Sequence, residues 1–165
     1  LAPVDKDNRY YSPKLGGGAA FDITVYAYEL TTYMAGRSIE NMQVSAVWSD
    51  TGVDLSDQVT ICYPGLMASL RTSFAAALHE RMAIYGSEGK IVIPHPHFAE
   101  EAFLYNKDNE LVMHFQDTVT ENGFLYEIEE AVNCIRDGRI ESPVVPHSLT
   151  LDCARLFDRI NSTRP

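Results

Sequence analysis

The chain has 165 residues, of which 45% are apolar and 22% charged, with 13 Lys+Arg against 23 Asp+Glu and a formal charge of −10. That composition supplies the core of one domain over residues 1–165 and excludes general disorder, while the acidic balance argues against nucleic acid and anionic membrane surfaces as partners. No run reaches the ~18 apolar residues of a membrane helix, and residues 1–9 are polar without the apolar centre of a secretory leader, so a cytoplasmic location is expected.

The first element follows three glycines, Gly16, Gly17 and Gly18. Phe21, Val25, Tyr28, Leu30, Tyr33 and Met34 recur at helical spacing and predict a helix over 18–35, stopped by Gly36. From residue 41 the apolar period drops to two. Met42, Val44, Ala46 and Trp48 alternate with polar neighbours, as do Val59, Ile61 and Tyr63, then Ala68, Leu70, Thr72 and Phe74. Shorter strand-like runs cover 81–85, 90–93, 102–105 and 110–115, separated by turn signals at 50–52, 64–65, 86–89 and 106–109. Two amphipathic helices close the chain, over 123–137 and 148–160, with Gly138 past the end of the first and Ser148 as N-cap of the second. The expected class is α+β: an open, mostly antiparallel (mixed) sheet of six or seven strands with the helices packed on one face. The other face carries Ser45, Thr60, Ser69, Arg71 and Ser73, small or polar, and meets water or a flat partner.

Asp22 and Tyr26 form the sharpest chemical pair. Spaced i, i+4 on a helix they stand one turn apart, and a carboxylate beside a phenol can position and polarise it for proton transfer. The alternative is structural, because an Asp in a first helical turn complements the macrodipole and a Tyr on an amphipathic helix is commonly core. The glycine run lacks the third Gly and the preceding strand of a dinucleotide fingerprint. His95 and His97, two apart in a proline-stiffened loop, lack further nearby ligands, so no metal is expected, and His79, His114 and His147 stand singly. Cys62, Cys134 and Cys153 show no ligand spacing and read as reduced core thiols.

The stretch Gly16-Gly-Gly-Ala-Ala-Phe-Asp22-Ile-Thr-Val-Tyr26 resembles the substrate-domain helix of the glucose–fructose oxidoreductase, inositol dehydrogenase and rhizopine-catabolism (Gfo/Idh/MocA) family, in its dihydrodiol and sugar dehydrogenase branch. Residues 57–65, 82–94, 123–138 and 141–143 resemble later family segments in the same order. The resemblance implies the second, substrate-binding and oligomerisation domain of a two-domain oxidoreductase. An N-terminal Rossmann domain, the strand that opens the second domain and a Glu-Lys-Pro motif lie outside the matched region. It implies hydride transfer between NAD or NADP and a secondary alcohol or carbonyl of a sugar- or diol-like small molecule. On the family pattern Tyr26 is the proton donor or acceptor and Asp22 orients the substrate. Thr24 departs from a frequent Gly, and Glu29 stands where another branch keeps Asp. Arg9 and Tyr10, just upstream of the glycines, are substrate-binding candidates or solvated loop residues. No cofactor is expected on this chain alone, which is then catalytically silent, and a homodimer through the open sheet face is expected. The alternative reading is a non-catalytic dimerisation or ligand-sensing module of the same fold.

Overall fold

The change of apolar period near residue 41 is where the backbone passes from helix to sheet. In the computed structural model, which describes residues 7–36 and 38–165, helix α1 (Val25–Ala35) precedes β1 (Asn41–Trp48), β2 (Asp54–Tyr63) and β3 (Leu66–Ser73). Then come β4 (Met82–Gly86), β5 (Gly89–Ile93), β6 (Glu101–Asn106), β7 (Leu111–Gln116), α2 (Phe124–Arg136) and α3 (His147–Asn161). The expectation about a leader falls partly on residues 1–6, outside the described residues. The class is α+β with open antiparallel sheets, as expected. Its strands divide between two sheets, β1-β2-β3 and β4-β5-β6-β7, rather than forming one. They belong to two compact units, Leu1–Leu78 with Pro143–Pro165, and His79–Ser142.

In the first unit β2 is the central strand, and its inward side chains Asp57, Val59, Ile61 and Tyr63 are buried while their neighbours are not. Tyr28 from α1 and Cys153, Leu156 and Ile160 from α3 pack on this face together with Met42 and Leu70. An amphipathic helix and a half-buried sheet each bury one face this way, at ~25 cal/mol per Å² of apolar area removed from water. On the opposite face the polar side chains bond laterally, Gln58 Nε2 donating to Ser69 Oγ at 2.8 Å and Ser56 pairing with Ser73 at 2.6 Å. The β1–β2 register slips beside Trp48: Val47 pairs with Ser56 but Trp48 with Asp54, leaving Leu55 as the extra residue of a bulge. A bulge inverts the side-chain phase beyond it. Asp54 and Asp57 therefore both face the helices, and both are buried.

The expected helix over 18–35 departs from a single 3.6-residue period. Residues Ala20–Thr24 form a π turn, in which the Val25 amide donates to the Ala20 carbonyl five residues back, before α1 begins. The wider turn shifts the helical phase, so Phe21, Tyr33 and Met34, which the sequence pattern placed on one apolar side, are exposed, while Ala20, Thr24 and Tyr28 are buried. Helix α3 starts one residue before the expected Ser148 cap. Pro146 is its extended N-cap, and its carbonyl accepts the Leu149 amide at 2.9 Å.

The second unit is a four-stranded antiparallel meander followed by α2. The β6–β7 turn is held by Asn106, whose Oδ1 accepts the amides of Asp108 at 3.0 Å and Glu110 at 2.9 Å, the side chain standing in for a backbone turn carbonyl. Helix α2 buries Cys134 and leaves Phe124, Leu125, Ile128 and Ile135 exposed.

Candidate functional site

The candidate site is built where the segment Asn8–Gly18 folds over the start of the helix. A short 3-10 turn at Arg9–Tyr11 is tied back by the glycines: the Gly17 amide donates to Ser12 O at 2.9 Å and the Gly18 amide to Tyr10 O at 3.0 Å. A Cβ on Gly17 would lie 2.5 Å from Arg9 O and 2.6 Å from Tyr10 O, so the close approach of these two backbones requires glycine there. Tyr10 and Tyr11 meet Phe74 edge-on, with ring centroids 5.6 and 6.4 Å away.

That clamp places Arg9 over the helix. Its Nη2 lies 3.0 Å from Asp22 Oδ1, and its guanidinium carbon sits 4.2 Å from the centre of the Tyr10 ring. The structure thus brings together Arg9, Tyr10 and Asp22, three of the four residues singled out in the sequence. Tyr26 follows in the first turn of α1 and is 65% exposed, which makes its phenol open to a ligand and excludes the core reading of this tyrosine. Asp22 lies in the π turn and Tyr26 in the α-helix, so the pair straddles the change of pitch.

Beneath this surface lies a buried polar cluster that the sequence reading missed. Asp54 Oδ2 accepts the Ala20 amide at 2.6 Å, capping a helix-start donor from a neighbouring strand. Thr24 Oγ1 contacts Asp57 Oδ2 at 2.6 Å, Thr72 Oγ1 at 2.6 Å and Ala19 O at 3.1 Å. Burial, with Asp54 beside it, pushes the Asp57 carboxyl up to about 7 against the opposing pull of the Thr24 hydroxyl. A signal for Asp57 was present in the sequence. It occupies the same inward parity as Val59, Ile61 and Tyr63, where an unpaired carboxylate is costly. Asp54 carried no such signal, because only the bulge turns it inward.

The glycine turn does not fit a dinucleotide. The Gly16, Gly17 and Gly18 amides all donate within their own segment, to Pro13, Ser12 and Tyr10 carbonyls, leaving none to cradle a pyrophosphate. His95 and His97 both face Glu80 in an exposed cluster, and among the described residues no group of three or more His, Cys, Asp or Glu can hold a metal. His114 is not isolated: it stacks on Phe103 with ring centroids 4.5 Å apart. The three cysteines are free thiols. No helix among the described residues is long and apolar enough to cross a membrane.

Residues 1–92, which include the whole of this site, match the GFO/IDH/MocA C-terminal domain. The chain belongs to the Gfo/Idh/MocA family. It is 32% identical over 160 residues to trans-1,2-dihydrobenzene-1,2-diol dehydrogenase of Danio rerio, covering 91% of this chain and 46% of the relative. It is 25% identical over 148 residues to scyllo-inositol 2-dehydrogenase (NADP(+)) of Bacillus subtilis, covering 90% and 44%. Among solved structures, the aldose–aldose oxidoreductase of Caulobacter crescentus superposes with a TM-score of 0.79 at 18% identity, over 97% of this chain and 49% of that one. That likeness shows a shared fold. The chain spans about half the length of the curated relatives it matches. Those relatives are dehydrogenases, and the family assignment makes this chain a C-terminal domain of the oxidoreductase type.

Proposed function

We propose that the chain is the substrate-binding and oligomerisation domain of an NAD- or NADP-dependent oxidoreductase that moves a hydride between nicotinamide and a secondary alcohol or carbonyl of a sugar- or diol-like small molecule. The observation that carries this reading is the Arg9–Asp22 pair at 3.0 Å on the turn that leads into α1, where Tyr26 is exposed. A hydroxylated substrate needs an anion to orient its O–H groups and a group to exchange the proton at the reacting oxygen. Asp22 supplies the first, held in place by the Arg9 guanidinium, and Tyr26 the second. Arg9 keeps further N–H donors for a neighbouring substrate oxygen, and Tyr10 holds the guanidinium plane from below. The diol and inositol named for the two relatives agree with a polyhydroxylated substrate. The glycine turn being closed to a pyrophosphate, we assign NAD or NADP to the Rossmann domain that the family pattern implies, with this chain catalytically silent alone.

The polar face of the first sheet, with Ser45 and Ser69 small and exposed, is the surface we assign to a homodimer. The free thiols suit a reducing compartment, the cytoplasm. The test is turnover of the full-length protein with NAD(P) and a panel of diols and inositols, with and without Tyr26→Phe. Absence of dehydrogenase activity across the panel, together with retained binding of a polyol, supports the ligand-sensing alternative.

A further inference from the structure

We propose that Asp57 is a positioning residue: carrying a proton that it donates to Thr24, it holds the π turn that carries Asp22 ahead of Tyr26. The inference rests on the reading of that pair as the reacting site, though its structural half stands without it. Counting donors and acceptors leads to that proton. The Ala19 carbonyl, Asp57 Oδ2 and the Thr72 hydroxyl converge on Thr24 Oγ1, which has one proton for two acceptors. Asp57 Oδ1 is buried and has no partner among the described residues, so an ionised carboxylate is poorly satisfied here. A proton on Asp57 Oδ2 supplies the missing donor to Thr24 and removes a buried charge. Thr24 can then pass its own proton to Ala19 O, five residues back, and close the wide turn.

The groups around Asp57 agree with this assignment. From β1 its cross-strand partner is Ala46, from β3 it is Thr72, and from the π turn Thr24 faces it. Among the described residues Asp54 is the titratable group that acts on it, and its influence, like burial, favours the protonated form. The raised carboxyl of about 7 falls in the range where loss of the proton accompanies a rise through neutral pH. Ionisation then sets acceptor against acceptor beneath the helix start, and the turn carrying Asp22 loosens.

The experiment measures amide hydrogen exchange at Val25, whose N–H closes the π turn, together with urea unfolding of the full chain between pH 5.5 and 8. A carboxyl raised in the folded state gives stability that is present at low pH and lost as pH climbs toward its folded value. The opening constant at Val25 should therefore rise by roughly tenfold or more over this range beyond the intrinsic exchange rate. Asp57→Asn carries its own donor at every pH, so its opening constant should stay flat. Thr24→Ser should behave as the parent, and Thr24→Val should open at all pH values. Equal pH dependence in the parent and Asp57→Asn overturns the proposal, as does an Asp57→Asn chain that fails to fold while Thr24→Ser folds. Neither result bears on the catalytic reading, which fails instead if Tyr26→Phe retains turnover.

Discussion

Arg9 reaches Asp22 at 3.0 Å across 13 residues of chain, and does so because Gly17 lets the intervening turn lie directly on its own backbone. The ion pair is exposed on the Arg9 side and half-buried on the Asp22 side, with side-chain exposures of 57% and 27%. Such a pair contributes about 0–1 kcal/mol to stability. Its value to the molecule therefore lies in geometry: it orients one carboxylate at the start of a helix whose first turn exposes Tyr26.

The first expected consequence concerns that phenol. Tyr26→Phe in the full-length enzyme should lower kcat by about 10²–10⁴-fold, the range a positioned acid or base supplies. Because Tyr26 is 65% exposed, the melting temperature should hardly move. Steady-state kinetics beside a thermal melt separate the two effects, and near-parental turnover across pH would remove Tyr26 from the site.

Arg9→Gln should act mainly on substrate affinity. The variant keeps an amide donor but loses the charge that balances Asp22 and the flat guanidinium on Tyr10, 4.2 Å below. A rise in KM of roughly tenfold with unfolding free energy changed by less than about 1 kcal/mol is expected. An unaltered KM for every polyol substrate would return Arg9 to a solvated loop.

Gly18→Ala should be costly to the fold itself. Gly18 sits at φ +119°, and a Cβ there runs into the Asp54 carboxylate that caps the Ala20 amide. Asp54 is 3% exposed and cannot swing aside, so backbone strain and loss of the cap add. A destabilisation of roughly 2–4 kcal/mol in urea is expected, from strain at a positive φ together with a lost cap. A change below 0.5 kcal/mol would show that the turn rearranges freely.

Cys153 should resist alkylation. It lies under α1 with Sγ 3.4 Å from Glu29 Oε1, and burial first, then the Glu29 charge, pushes the thiol up to about 12. Iodoacetamide at pH 8 should therefore label the half-buried Cys62 well before Cys153, as read by peptide mass spectrometry. The sign of the linkage follows. A thiol raised in the folded state favours folding below its ordinary value near 9, and that contribution is lost between about pH 9 and pH 12. Cys153→Ala should flatten this alkaline loss.

Much of the architecture was legible because it is a matter of period. The alternation of Met42, Val44 and Ala46, and of Val59, Ile61 and Tyr63, marks strands whatever surrounds them, and the stripe of Cys153, Leu156 and Ile160 marks a helix with one buried side. Side-chain period is set by local backbone geometry, so it survives into the fold. Asp22 and Tyr26 were singled out by their i, i+4 spacing, but the π turn at Ala20–Thr24 interrupts the 3.6-residue period between them.

Tertiary structure alone decided the rest. The division of seven strands into two sheets depends on which edges pair, and pairing is a long-range choice that no local pattern encodes. The π turn at Ala20–Thr24 arises because strand β2 offers Asp54 and Asp57 to the helix start, and one bulged residue, Leu55, determines that both point that way. Likewise Arg9 becomes the partner of Asp22 only when the chain between them folds back on Gly17 and Gly18. A side chain's chemistry is written in the sequence, but the partner it meets is set by backbone contacts between distant segments, and those exist only once the chain has closed.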